Sequence, residues 1–92
     1  MLDKQLVLHT IQNTSFKERS IQESALTLVH LIGPYTDEAA DLFRSEVDAA
    51  NNAFKPVLLH LIDEIIHVTM HTSRAFINSF GRVILTIANN VV

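Results

Sequence analysis

Hydroxyl and imidazole side chains cluster in one short polar stretch of an otherwise apolar C-terminal half. The four residues are Thr69, His71, Thr72 and Ser73. Hydroxyl groups of this kind accept phosphoryl groups, and a phosphate beside a helix N-terminus is stabilised by the helix dipole. Serine and threonine are also the ordinary N-cap residues of helices. Capping is therefore the favoured interpretation of this stretch, and a phosphorylation or partner-contact role is the functional alternative.

Two of the histidines have a spacing that zinc sites use. His67 and His71 stand four residues apart, which on a helix places both rings on one face. No cysteine supports such a site, and Asp63 and Glu64 stand at the wrong distance for the metalloprotease pattern. We therefore predict no metal and no cofactor. His30, in an apolar run, is expected to be a core or edge residue, as is His60.

The parts of a familiar catalytic site are missing from the sequence. It contains no cysteine nucleophile, no glycine-rich phosphate loop and no Gly-x-Ser-x-Gly turn. Serine, histidine and aspartate are present, but a triad is defined by geometry that a sequence does not display. We therefore predict that the chain is not an enzyme.

Composition limits the classes of partner. The range 1–92 is short enough for a single domain. An apolar fraction of 48% in so short a chain predicts a homo-oligomer or a bound protein. A net charge of −3 with scattered basic residues argues against nucleic acid as a partner. No apolar run reaches the ~18 residues of a membrane span, and no signal peptide is visible, so the cytoplasm is the predicted compartment.

Short apolar runs bounded by turn signals predict four strands. They cover residues 5–12, 25–32, 57–62 and 83–88. Residues 13–24 are polar, with Phe16 and Ile21 as their large apolar members, and predict a loop or short helical turn. A solvated connector is the favoured interpretation of this loop over a functional one.

Two helices are predicted between these strands. The first begins at Thr36 as N-cap, follows the stop at Gly33-Pro34 and ends at Asn51-Asn52. Its apolar stripe comprises Ala39, Leu42, Phe43, Val47 and Ala50. The second runs through Phe76 and stops at Gly81. The order strand, strand, helix, strand, helix, strand predicts an α/β fold.

An all-α fold is the alternative. One face of a continuous helix would carry Leu58, Leu61, Ile62, Ile65, Thr69, Thr72, Phe76 and Phe80. Pro56 suits the first turn of such a helix. Periodicity alone does not separate a short apolar strand from a buried helix segment.

Residues 25–90 resemble a STAS domain, the sulfate-transporter and anti-sigma-factor-antagonist fold. ALTLVHLIGPYTDEAADLFRSEVDAA resembles its opening strand, turn and amphipathic helix, and PVLLHLIDEIIHVTMHTSRAFINSF is similar to the next strand, loop and helix. GRVILTIANN matches the strand that follows. The family's usual Asp-Ser-Ser-Gly loop is absent, and its nearest equivalent here is His71, Thr72, Ser73 and Arg74. The resemblance implies a small sheet with packed helices and a regulatory kinase or anti-sigma-like protein as partner.

The predicted function is that of a small non-catalytic regulatory module. It acts by protein–protein interaction, with phosphorylation control at the loop that opens a helix. The alternative is an all-α, homo-oligomeric structural or inhibitory protein without phosphorylation control.

Overall fold

Five α-helices and the turns between them make up the part of the chain that the structure describes. The fold comes from a computed structural model, which describes residues 2–72 and 74–90, with the backbone alone for residues 86–90. The helices are α1 (Lys4–Gln12), α2 (Glu18–Ile32), α3 (Thr36–Ala49), α4 (Lys55–Thr69) and α5 (Arg74–Asn90). None of the helices in these residues is long and apolar enough to cross a membrane.

The predicted α/β fold and the STAS resemblance are wrong, and the all-α alternative is confirmed. A STAS domain needs a β-sheet, whereas the described residues contain no strand. The expected kinase or anti-sigma-like partner depended on that resemblance and loses its basis with it. The four runs predicted as strands lie within α1, α2, α4 and α5.

The run 57–62 illustrates why the strand prediction failed. Val57, Leu58, Leu61 and Ile62 are all buried on α4, and the same stripe continues at Ile65. Six apolar residues satisfy the pattern of a buried strand and of a buried helix equally well. The inward stripe continues from Val57 to Thr69, over about three turns, and favours the helix because each further inward apolar residue adds buried apolar area.

The helix predicted after Gly33 is confirmed as α3. Its apolar stripe is buried at Ala39, Phe43 and Val47, as the spacing indicated. Gly33 ends α2 with a φ of 51°, a conformation that glycine adopts without steric cost. The structural N-cap is Tyr35 rather than Thr36, whose buried side chain is one residue inside the helix.

The C-terminal half differs from both sequence interpretations. Gly81 lies inside α5, so the prediction that it stops a helix is wrong. The alternative of one continuous helix is also wrong in detail, because α4 ends at Thr69 and α5 begins at Arg74. The intervening turn contains Thr72, which is exposed rather than directed into the core.

Helix α4 is the centre of the bundle. It packs mainly on α2 and α5, while α3 packs on α5 and α1 packs on α2. Among the described side chains, nineteen apolar ones are buried, so the core absorbs much of the apolar excess. Packing of α4 on α2 and α5 therefore determines which residues of α4 face outward.

Candidate functional site

The first residue of the predicted polar site is buried. Thr69 is 1% exposed at the end of α4. Its Oγ1 donates a hydrogen bond to the carbonyl oxygen of Ile65 at 2.7 Å, which satisfies the hydroxyl inside its own helix. This hydroxyl is therefore hydrogen-bonded within the last turn of α4, and its burial keeps it out of reach of a partner in the folded protein.

The rest of the predicted site lies in the turn between α4 and α5. His71 and Thr72 are exposed. The Thr72 amide donates to the carbonyl oxygen of Thr69 at 3.0 Å, which closes the turn. Ser73 lies outside the described residues. Capping or partner contact by this turn stays a prediction.

The predicted positions of the histidines need correction. His67 lies on α4 but His71 lies in the following turn, so the two do not share a helix face. Within the described part of the chain, no group of three or more histidine, aspartate or glutamate side chains could hold a metal ion. His30 and His60 are exposed on helices, so their prediction as core or edge residues of strands is wrong.

A groove between the start of α2 and the outward face of α4 brings together residues from distant parts of the sequence. Its volume is about 320 Å³. The lining residues are Phe16, Glu18, Ile21 and Gln22 on one side, and His60, Asp63 and Glu64 on the other. A loop, the first turns of α2 and the middle of α4 therefore form one concave surface.

The aromatic ring at the groove is largely in water. Phe16 is 62% exposed, and its ring meets the His60 ring edge to face, with centroids 5.8 Å apart. An edge-to-face pair is a favourable aromatic geometry. The Phe16 ring therefore has an aromatic neighbour, and most of its surface is left for a further contact.

The loop that carries Phe16 is held to α1 and α2 by hydrogen bonds on the N-terminal side of this residue. Thr14 is buried, and its Oγ1 lies 2.9 Å from the Thr10 carbonyl oxygen and 2.8 Å from Ser24 Oγ. The Ser15 amide donates to Ser20 Oγ at 2.9 Å. These contacts fix the backbone on the N-terminal side of Phe16 to both α1 and α2. The ring is therefore presented by an ordered loop, which lowers the entropy lost on binding.

A second depression extends the groove along α4. It has a volume of about 360 Å³ and is lined by Asp63, Glu64, Ile66, His67 and Met70. The two depressions share Asp63 and Glu64 and so form one surface. Met70 leaves a polarizable side chain 46% exposed at its far end.

Negative charge dominates this joint surface, which we call the acidic groove. Three carboxylates line it, those of Glu18, Asp63 and Glu64. No lysine or arginine occurs among the described residues that line the two depressions. The acidic groove thus combines an exposed aromatic ring and a methionine with carboxylates between them.

A different polar cluster connects α3 with α5. The Ser79 hydroxyl is buried and donates to Asp37 Oδ1 at 2.7 Å, and it lies 3.1 Å from Thr36 Oγ1. A depression beside it is lined by Arg44 and Arg82 as well as by carboxylates. Because these hydroxyl and carboxylate groups bond to one another, this cluster stabilises the contact between two helices.

Comparison of the chain with protein-family models, with curated proteins and with solved structures finds no match. The chemistry of the acidic groove is therefore the guide to function. Its described lining places carboxylate and imidazole side chains beside an exposed aromatic ring.

Sequence reasoning missed the acidic groove, although one signal was present. Phe16 is the lone aromatic residue in the polar stretch 13–24, and the favoured interpretation of that stretch was a solvated connector. His60 was assigned to a strand. Only a helical α4 turns His60, Asp63 and His67 outward together, since residues three and four apart share a helix face.

Proposed function

We propose that this chain is a non-catalytic interaction module that binds a protein partner through the acidic groove. The observation that supports this proposal is the exposure of Phe16 on a loop held by hydrogen bonds on its N-terminal side. Aromatic residues are enriched at protein interfaces and among the residues that dominate binding energy. Covering the Phe16 ring would remove apolar area from water without first ordering the loop.

A single exposed apolar side chain would not support this proposal, because such residues are normal on protein surfaces. Phe16 differs because it opens into a groove that continues to Met70 at the end of α4. Methionine adapts to irregular partner surfaces. Two apolar contacts at opposite ends of one concave surface fit a partner that spans the acidic groove.

The size of the acidic groove supports a transient partner. A standard interface buries about 800 Å² on each protein. Such an interface comprises about 20–30 residues a side. Seven residues line the first depression and five the second, with two shared, so ten residues line the acidic groove. The proposed partner therefore uses the acidic groove as its central contact, as expected for a regulatory or inhibitory association.

Site-specific photo-crosslinking tests this proposal. A photoreactive phenylalanine analogue is placed at position 16 and, as a matched control, at position 85. Leu85 is 65% exposed on α5, so both positions carry similarly exposed apolar side chains. In extracts of the source cells, we expect the analogue at position 16 to crosslink to a protein other than a second copy of this chain. The analogue at position 85 should give no adduct of the same mass.

Competition makes the crosslinking specific to the acidic groove. Excess wild-type protein without the analogue should suppress the adduct, whereas excess Phe16→Ala protein should not. Equal adducts at both positions, or an adduct that both competitors suppress equally, would contradict the proposal.

Self-association is a second candidate function, in line with an all-α homo-oligomeric protein. Leu26 is 58% exposed on α2 and Leu85 is exposed on α5. Either side chain would lose exposed apolar area in a contact with a second copy. Phosphorylation control is not part of either proposal. The cytoplasm stays the proposed compartment, which the absence of cysteine supports.

A further inference from the structure

We infer that the segment seated in the acidic groove is a basic amphipathic helix of the partner protein, with arginine or lysine beside its apolar stripe. This inference rests on the proposed function and adds the chemistry of the partner. Charge complementarity and the shape of the acidic groove carry it.

The charge of the acidic groove selects a cationic occupant. Glu18, Asp63 and Glu64 line its central part, and the described lining residues include no lysine or arginine to offset them. Carboxylates within one Debye length, about 8 Å at physiological salt, reinforce one another. An anionic segment would therefore be repelled, whereas basic side chains gain from every carboxylate that they approach.

Basic residues close in sequence do not neutralise this surface. Arg19 Nε lies 3.1 Å from Glu23 Oε1, so its guanidinium is paired with a residue one turn further along α2. Lys17 precedes α2 and does not line either depression. The carboxylates of the acidic groove therefore remain available to cations from outside the chain.

The exposed ring of Phe16 adds a preference for arginine. A guanidinium stacks on an aromatic face and gains a cation–π attraction. His60 is an aromatic neighbour of this ring, with the two centroids 5.8 Å apart. Most of the ring surface is exposed and can receive such a group or an apolar side chain.

Shape favours a helical occupant over an extended one. From His60 to Met70 the axis of α4 advances about 15 Å, which equals about ten residues or three turns of a partner helix. A groove beside a helix accepts the apolar stripe of another helix at positions i, i+3 or i+4, and i+7. Strand addition, one binding mode of an extended segment, needs a sheet edge, and the described residues contain no strand.

Two synthetic peptides of equal length provide the probe. Both carry leucine at i, i+3 and i+7, with arginine at the flanking positions of one and glutamate at those of the other. Binding to the full chain is measured by fluorescence anisotropy at about 50 mM and about 500 mM salt. We expect the leucine–arginine peptide to bind, more weakly at high salt, and the leucine–glutamate peptide not to bind.

Matched variants locate the binding. Asp63→Asn combined with Glu64→Gln should lower the affinity for the leucine–arginine peptide about fivefold to tenfold. Phe16→Ala should lower this affinity at least about tenfold. The control pair Glu38→Gln with Asp48→Asn removes the same charge from exposed positions of α3, and Leu85→Ala removes a similarly exposed side chain. Both controls should stay within about twofold.

All variants should fold, because the substituted side chains are exposed or half-buried. Melting temperatures within about 4 °C of the wild type would verify this. Variants outside that range are replaced by Asp63→Asn and Glu64→Gln singly, so that binding is compared only among folded proteins.

Several results would overturn the inference. The first is that the leucine–arginine peptide does not bind, and the second is that both peptides bind equally. The third is that the α3 control pair lowers the affinity as much as Asp63→Asn with Glu64→Gln does. If Phe16→Ala converts a dimer into a monomer, the occupant is a second copy and the inference also fails. If the crosslink at position 16 persists and is unchanged by Asp63→Asn with Glu64→Gln, the partner segment is not basic. That result would overturn the inference and leave the proposed function standing. Absence of a crosslink at position 16 when Asp63 and Glu64 are unchanged would overturn both.

Discussion

The ring of Phe43 on α3 meets the ring of Phe80 on α5 edge to face, with centroids 5.3 Å apart and planes at 78°. Both side chains are fully buried. The Phe76 ring stacks parallel to that of Phe80, with centroids 5.9 Å apart. Edge-to-face pairs add about 0.5–1.5 kcal/mol beyond the area that they bury. This aromatic cluster joins α3 to α5. Helix α3 was predicted correctly from the sequence, whereas α5 was predicted as a helix followed by a strand.

Truncating Phe43 should therefore destabilise the protein strongly. We expect Phe43→Ala to lower the free energy of unfolding by about 3–5 kcal/mol, because it leaves a cavity and removes the contact with Phe80. Urea denaturation followed by circular dichroism measures this change. Phe16→Ala is the matched control and should cost below about 1 kcal/mol, since that ring is mostly exposed. Equal costs for the two variants would contradict the packing described.

Removing the Ser79 hydroxyl should have a moderate effect. Ser79→Ala takes a hydrogen-bond partner from Asp37 and leaves the buried Thr36 hydroxyl without the 3.1 Å contact to Ser79 Oγ. We expect a loss of about 1–2 kcal/mol in the free energy of unfolding. Ser45→Ala, at an exposed position of α3, should change it by less than about 0.5 kcal/mol. A Ser79→Ala protein as stable as this control would show that the link between α3 and α5 contributes nothing.

A glutamate should be tolerated at Thr72 and not at Thr69. Thr72 is exposed in the turn, so Thr72→Glu should leave the melting temperature nearly unchanged. Thr69 is buried at the end of α4, so Thr69→Glu would bury an unpaired charge. We expect Thr69→Glu to lower the melting temperature by more than about 10 °C, or about 2 kcal/mol at this size. A similar melting temperature for the two variants would show that Thr69 is accessible.

Light scattering at micromolar concentration should show a dimer or larger species. The motive is the 48% apolar fraction together with leucines left exposed outside the core. Leu26→Glu and Leu85→Glu are tested singly, and we expect one of them to give a monomer because it places a charge in the contact. Phe16→Ala should leave the association unchanged, since the acidic groove is reserved for a different partner. A monomer at every wild-type concentration would reject self-association.

Of the predicted site, the structure leaves His71 and Thr72 at the surface and buries Thr69. The sequence could not distinguish them, because threonines three residues apart look alike until the end of the helix is known. Helix α4 ends at Thr69 without a glycine or proline to mark the stop. The following turn is closed by a hydrogen bond from the Thr72 amide to the Thr69 carbonyl oxygen. Because this bond joins two backbone groups, residue types do not predict it.

Helix α3 could be predicted from sequence alone because its signals are local. Gly33 and Pro34 precede it, acidic residues occupy its first turn, and its apolar stripe has one period. The run 57–62 lacked such signals, and only packing of α4 on α2 and α5 decided between strand and helix. The acidic groove depended on tertiary structure entirely. Phe16 and His60 lie far apart in the chain, and they meet because burial of the apolar face of α4 turns its polar face toward the loop before α2.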